Sequence, residues 1–509
     1  MNVLWLLSDE HSFRFFSHLD ADGEGEQCRT PAFDRLASES CAFDRAYCQV
    51  PLCTPSRICM LTGRPPMGSG GWGNSAVLRP GAATIPSAFA EAGYATCLVG
   101  KMHLGGDRQF VGFGERPYGD LTGDTGHQWE PLHRRGGREM LDRIHDAGVT
   151  EIPESALQER ITAEETVAWV REQHHGDAAR PWLLCASFSR PHFPLTAPRR
   201  HFERYWPEGV TPPKVGRAGD TADHPMTRGM AEGFKTEQFD ESAAMKARAG
   251  YFACVDALDE IIGDMLRTLD ADGLLDNTII VYTSDHGELA GEHGMWWKNS
   301  WHEAAARVPL MVSLPDHRSG RAPATRWRAP VSLEDLFPTL CGLCDVSAPG
   351  DLPGTDLSRS VHGEGEPERG PVYYDNPTPR WGEGSEHRAV VDGRFKYVLF
   401  RSMSPNLLFD LELDPLEQRN LVNDPGHAET RDRLHALVER SYDFDAAERQ
   451  CETDRKLRES HKLDVAHRAG NLYHMPRGVV VDAEAPLYNP LVATDRPAET
   501  FGDFPAGKP

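Results

Sequence analysis

The chain has 509 residues, 39% hydrophobic and 26% charged, with a formal net charge of −23 at pH 7. That length allows two domains, or one large domain with an appendage, and the composition is that of a folded globular protein, which excludes a disordered or fibrous chain. The acidic balance excludes nucleic acid and anionic membrane as general partners, although basic residues and a metal can still converge locally on an anion.

Residues 3–7 form a short, continuous apolar run that reads as a buried parallel strand ending in Asp9-Glu10. The N-terminus shows no basic region or small-residue cleavage site, and no stretch approaches a membrane-spanning length, so a cytoplasmic protein is expected. Ligand sites in open α/β sheets lie beyond the carboxyl ends of strands, and two acids there suit a hard divalent cation. Residues 30–37 and 43–47 resemble a helix and a strand of the family named below. Cys53-Thr54-Pro55-Ser56-Arg57 then runs into the first turns of a helix, where free N–H groups and the dipole favour an anion. A cysteine there beside an arginine predicts a reactive group; the pentapeptide alone is equally compatible with a small buried cysteine.

Gly71-Trp72-Gly73-Asn74 reads as a loop, with Asn74 a candidate polar contact to substrate. A helix over 84–92 and a strand over 95–99 lead to Gly100-Lys101-Met102-His103. Spacing of two puts Lys101 and His103 on one side of an extended chain, a cation and a base suited to an oxyanion and a proton transfer. Residues 105–160, which carry Trp129, read as an insertion near the site mouth and a source of substrate selectivity. A helix over 163–173 and a strand over 182–188 precede Arg190-Pro191-His192-Phe193-Pro194. Residues 207–240 read as a polar, mobile excursion, and 241–269 as a long helix. The β-branched strand over 277–284 ends at Asp285-His286-Gly287, a further acid and an imidazole at another strand end, and Lys298 follows. The eleven cysteines show no regular framework and are expected to be mostly reduced; Cys341-Gly-Leu-Cys344 has no partner pair for a zinc site.

Cys-x-Pro-Ser-Arg followed by Leu-Thr-Gly-Arg resembles the modification signature of the type I sulfatases. Gly-Lys-x-His-x-Gly at 100–105, Pro-His-Phe-Pro at 191–194, Asp-His-Gly at 285–287 and Gly-Glu-His-Gly before Lys298 resemble further family motifs, in family order. The resemblance covers residues 1 to about 425 and implies an alkaline phosphatase-like fold: α/β, a large mixed, mostly parallel sheet flanked by helices, with a smaller C-terminal α+β domain. The expected division is a catalytic domain over 1–369, a small sheet subdomain over 370–440, and an extension over 441–509. That extension resembles the arm of choline sulfatases, which packs on a neighbouring subunit, so a homo-oligomer is expected.

The resemblance further implies that Cys53 is converted to formylglycine by a maturation enzyme, and that Asp9, Glu10, Asp285 and His286 hold one divalent cation beside it. The oxygen-rich set points to Ca²⁺, and His286 leaves Mn²⁺ open. Arg57 would steady the modified residue, Lys101 and Lys298 would bind the sulfuryl oxygens, His192 or Lys298 would protonate the leaving oxygen, and His103 would take the final proton. The resemblance implies a small-molecule sulfate ester as substrate, either choline sulfate or a carbohydrate sulfate; Trp72, Trp129, Trp296 and Trp297 could form a cation–π box for choline. Alternatives are a phosphonate monoester or phosphodiester hydrolase, whose members carry uncharged residues in place of Lys101 and His103, and an inactive relative that binds sulfated ligands.

Overall fold

The computed structural model describes residues 1–23, 25–105, 109–119, 140–175, 180–465, 472–474 and 480–482. Its main sheet contains β1 (Asn2–Asp9), β2 (Cys41–Phe43), β3 (Ala95–Gly100), β4 (Glu115–Gly119), β5 (Trp182–Pro191), β6 (Thr278–Ser284), β7 (Leu310–Ser313) and β8 (Thr325–Trp327). The spatial order is β8-β2-β7-β6-β1-β5-β3-β4. Strands β6, β1, β5, β3 and β4 run parallel, β7 is antiparallel to both its neighbours, and β8 is parallel to β2.

Because successive side chains of a strand face opposite ways, β1 feeds two cores at once. Val3, Trp5 and Leu7 pack on one face with Ile58, Met60 and Leu61 of α2 (Cys53–Thr62) and with Leu336, Phe337 and Leu340. Leu4 and Leu6 pack on the other face against α1 (Pro31–Ser38), α3 (Gln158–His175) and α4 (Glu241–Ala271). Asp240 caps α4 by accepting from Ala243 N at 2.7 Å. Within α4, Asp259 accepts from the backbone of Ala32 and Phe33 at 3.1 and 2.7 Å and so satisfies free N–H groups at the start of α1.

A second sheet is an antiparallel meander of β9 (Val372–Asn376), β10 (His387–Asp392), β11 (Phe395–Phe400) and β12 (Leu407–Asp410). Leu434 and Val438 of α5 (Ala428–Ser441) cover one of its faces. The charged helix α6 (Phe444–Val465) docks back onto its own chain: Asp454 accepts from Trp72 Nε1 at 2.6 Å and from Arg79 Nε at 3.0 Å. All eleven cysteines are free thiols.

The expectation of a mobile excursion over 207–240 is corrected. Helix Pro225–Phe234 lies within it, burying Met226, Met230 and Phe234, whose spacing of four places them along one stripe. Its two glycines had masked that stripe; they are the residues that let Trp381 approach.

Three buried histidines, His224, His302 and His387, pack around Trp301 near the junction with the second sheet, and a fourth, His293, lies against His302. The rings of His293 and His302 are 4.4 Å apart, and those of His224 and His387 lie 5.3 and 6.4 Å from Trp301. Burial pulls the pKa values of His293 and His387 down to about 4, and nearby Lys396 opposes a charge on either. Burial, then His293 and Lys396, hold His302 well below its ordinary value. An unfolded histidine titrates near ~6.5, so below that pH the unfolded chain takes up protons that the folded chain refuses, and stability falls as the pH drops from about 6.5 towards 4. The melting temperature is therefore expected to be level above neutrality and to fall steeply over that window. His293→Asn should flatten the slope, and a melting temperature that stays level down to pH 4 would contradict this reading.

Candidate active site

The order β6-β1-β5-β3 sets four carboxyl ends side by side. Asp9 closes β1, Asp285 and His286 follow β6, His192 follows β5, and Lys101 and His103 follow β3. Two glycines permit this crowding. A Cβ on Gly100 (φ +98) would stand 2.0 Å from Ser187 O, and one on Gly287 would stand 2.0 Å from Ala304 O. Helix α2 points its first residue, Cys53, into the cluster.

Arg57, fully buried on α2, ties the strand ends together. Its Nη2 donates to Asp9 Oδ2 at 3.0 Å and its Nε to Asp285 Oδ2 at 2.7 Å, while Nη1 donates to Lys101 O at 2.9 Å and Ser187 Oγ at 3.1 Å. Lys101 Nζ lies 2.7 Å from the same Asp9 Oδ2. The other oxygens, Asp9 Oδ1 and Asp285 Oδ1, lie 3.8 and 3.7 Å from His286 Nε2, which is itself 3.2 Å from Cys53 Sγ. Each aspartate thus gives one oxygen to the guanidinium and turns the other towards the imidazole.

Glu10, at φ +67, turns the other way. Its Oε2 accepts from Lys298 Nζ at 2.6 Å and faces His192 Nε2 at 3.3 Å. His192 Nδ1 lies 2.8 Å from Phe193 O; a carbonyl only accepts, so Nδ1 carries the proton.

Burial alone would raise the Asp9 carboxyl, but Lys101, Arg57, His286 and Lys298 together hold it far below the usual carboxylate range. Burial lifts Glu10 well above its ordinary value; Lys298 opposes the shift and Glu288 adds to it. For Lys298, burial is outweighed by Cys53, Glu10 and Asp9, which keep it charged. Burial and the charge of Lys101 push His103 well down, leaving a neutral imidazole able to accept a proton. Burial, with Asp9, pushes the Cys53 thiol up to about 12. The Arg57 guanidinium is turned to the two aspartates.

Asp9, Cys53, Asp285 and His286 each offer one ligand atom, all within 4.8 Å of one another, and Asp9, Glu10 and His192 form a second such group. His286 Nδ1 gives its proton to Gly287 O at 2.9 Å, which leaves the Nε2 lone pair free for a metal. Two carboxylate oxygens and an imidazole nitrogen around position 53 fit a divalent cation. Glu10 Oε1 is buried without a hydrogen-bond partner, but its other oxygen is held by Lys298.

Asn74 is exposed, and its Oδ1 accepts from Thr54 N at 3.2 Å, so it caps α2. Trp129 lies outside the described residues. The cation–π box is corrected for its other three members. Trp72 is buried with its indole N–H on Asp454, and Trp296 and Trp297 are 3% and 2% exposed within the apolar core, where the Trp297 ring meets Phe193 at 5.4 Å. Sequence reasoning gave no role to Thr54, whose Oγ1 donates to His103 O at 2.6 Å, to Ser187, whose Oγ accepts from Arg57, or to Glu288, which raises Glu10. Thr54 is the variable position of the pentapeptide, so the motif does not fix its side chain, and Ser187 stands in no distinctive local pattern.

An α/β sheet of this order, with acids, an imidazole, lysines and a helix-borne cysteine converging at its carboxyl edge, defines an alkaline phosphatase-like ester hydrolase. The family model described as Sulfatase matches residues 1–346, and one described as N-sulphoglucosamine sulphohydrolase, C-terminal, matches residues 291–443. The chain is 32% identical over 439 residues to a choline-sulfatase of Rhizobium meliloti (strain 1021), covering 83% of each protein. It is 27% identical over 436 residues to an arylsulfatase of Clostridium perfringens (strain 13 / Type A), covering 81% of this chain and 89% of that one. In fold it matches the phosphonate monoester hydrolase of Agrobacterium radiobacter with a TM-score of 0.72 at 23% identity, covering 86% and 95% of the two chains. The chain belongs to the sulfatase family and is a sulfuric ester hydrolase.

Proposed function

We propose that the chain hydrolyses a sulfate monoester to alcohol and sulfate through Cys53 oxidised to formylglycine, with one divalent cation, Ca²⁺ or Mn²⁺, held by Asp9, Asp285 and His286. The observation that carries this reading is the convergence of those three side chains on position 53, with Lys101 and Lys298 closing the site. When bound, the cation neutralises charge on the sulfuryl oxygens and lowers the pKa of a neighbouring hydroxyl. A hydrated aldehyde at position 53 supplies two hydroxyls on one carbon: one bonds to sulfur, and ionisation of the other lets sulfate leave.

The side chains present account for the remaining work. Lys101 and Lys298 meet the sulfuryl oxygens, and their pairing with Asp9 and Glu10 holds them in place without reorganisation during the reaction. His192 or Lys298 gives a proton to the departing alcohol oxygen as the sulfur–oxygen bond breaks. His103, held neutral, takes the proton from the second hydroxyl.

The alcohol is choline or a carbohydrate. The 32% relative supports the first, and the sulphohydrolase model over residues 291–443 supports the second. A formylglycine-generating enzyme is the implied maturation partner, and a homo-oligomer the proposed assembly. A phosphonate or phosphodiester hydrolase is the second reading, favoured by the structural neighbour; the charged pair Lys101 and His103 favours sulfate. Comparing turnover of matched aryl sulfate and aryl phosphonate esters decides between them. Chelation is expected to lower activity by about 10²–10³-fold, the scale of losing one group that stabilises developing charge. Adding back Ca²⁺ or Mn²⁺ should restore it, and full activity after exhaustive dialysis against chelator would remove the cation from the reading.

A further inference from the structure

Arg380 lies in the segment between β9 and β10, outside the converged cluster. It is solvent-exposed, and among the described residues no carboxylate stands within ion-pair distance of its guanidinium. Partial burial lowers its pKa, and the Cys53 sulfur is close enough to act electrostatically against that shift. A cation with no carboxylate partner among the described residues is poised to receive an anion.

The presentation of Arg380 is built. Its guanidinium lies 4.9 Å from the ring centre of Trp381, which is 5% exposed. Trp381 Nε1 donates to Asn299 O at 2.7 Å, and its ring meets Phe234 at 4.5 Å. Helix Pro225–Phe234 has glycines where that ring and backbone press on it. A Cβ on Gly229 would stand 2.1 Å from Trp381 O, and one on Gly233 would stand 2.7 Å from the ring. Asn299 follows Lys298 directly and donates its backbone N–H to Pro51 O at 2.7 Å, just ahead of Cys53. Arg380 is therefore registered to both the nucleophile segment and the lysine.

The nearby aromatic faces are already covered by a cation. The Arg143 guanidinium lies 3.8 Å from the ring centre of Phe193 and 5.6 Å from that of Trp297. A quaternary ammonium on the substrate would have to displace it and would meet Arg380 as well. The sulfuryl oxygens already have Lys101 and Lys298, so the charge of Arg380 is left for the rest of the substrate.

We infer that Arg380 is a specificity-determining residue that binds an anionic group, a carboxylate or a second sulfate, on the alcohol part of the ester. This rests on the sulfate-ester reading, and it selects an acidic alcohol over choline.

The test compares kcat/KM of the wild type, Arg380→Gln and Arg380→Lys on 4-carboxyphenyl sulfate, its methyl ester and choline sulfate. Each substrate is judged by the ratio of variant to wild type, so intrinsic leaving-group differences cancel. Arg380→Gln is expected to lose about 10–100-fold on the carboxylate, mainly in KM, the scale of one charge-assisted hydrogen bond. It should change the methyl ester by less than about 2-fold and improve choline sulfate, and Arg380→Lys should keep part of the preference. Equal losses on all three esters, no loss on the carboxylate, or a loss on choline sulfate would overturn the inference. A wild type that releases sulfate from none of them would instead overturn the hydrolase reading on which it stands. Equal melting temperatures exclude misfolding as the cause of any loss.

Discussion

Cys53→Ala is expected to abolish sulfate release while the protein stays folded. Removing a catalytic nucleophile costs on the order of 10⁶-fold in turnover, because the neighbouring groups act only through it. The fold should tolerate the change. Cys53 is 1% exposed, its Sγ contacts are the polar ones to His286 and Asp9, and deleting one buried sulfur costs only about 1 kcal/mol. Cys53→Ser is the sharper control: a single hydroxyl could bond to sulfur but has no second hydroxyl on the same carbon to expel sulfate. It should therefore release alcohol once and stall. Mass spectrometry of the wild type should show a loss of about 18 Da at residue 53, a change that the ordinary oxidised forms of cysteine would not give. A fully active preparation carrying the free thiol would refute the assignment.

Arg57→Ala is expected to damage stability and activity together. Its guanidinium bonds both Asp9 and Asp285 with all three side chains fully buried, so truncation leaves two carboxylates without their cation. Breaking a buried pair from one side costs about 3–5 kcal/mol, since the remaining charge cannot return to water. Lys101 can still neutralise Asp9, but Asp285 has no such reserve among its described ion pairs, where only His286 remains. Arg57→Lys should rescue little, because a single ammonium cannot span both carboxylates and also reach Lys101 O and Ser187 Oγ. Urea denaturation measures the effect, and a truncated protein as stable as the wild type would show that the guanidinium does not join the strand ends.

The amino-acid sequence by itself determined which residues stand at strand ends. An unbroken apolar run such as Val3–Leu7 can only be buried, and the first polar pair after it marks the sheet edge. The same logic located Asp285-His286 and Lys101, and the pentapeptide at 53–57 identified the family. Patterns of this kind report on neighbours within a turn or a few strand residues, and there they were sufficient. Tertiary structure decided what each side chain does at its position. Lys298 and His192 claim Glu10 from distant segments, Arg57 takes one oxygen from each aspartate, and Asn74 caps the helix that carries Cys53. It also assigned Trp72, Trp296 and Trp297 to packing, and it set Trp381, which carries Arg380, against two glycines of a helix far away in the chain. A charged or aromatic side chain is settled by whatever packing sets against it through space, and no local periodicity records that partner.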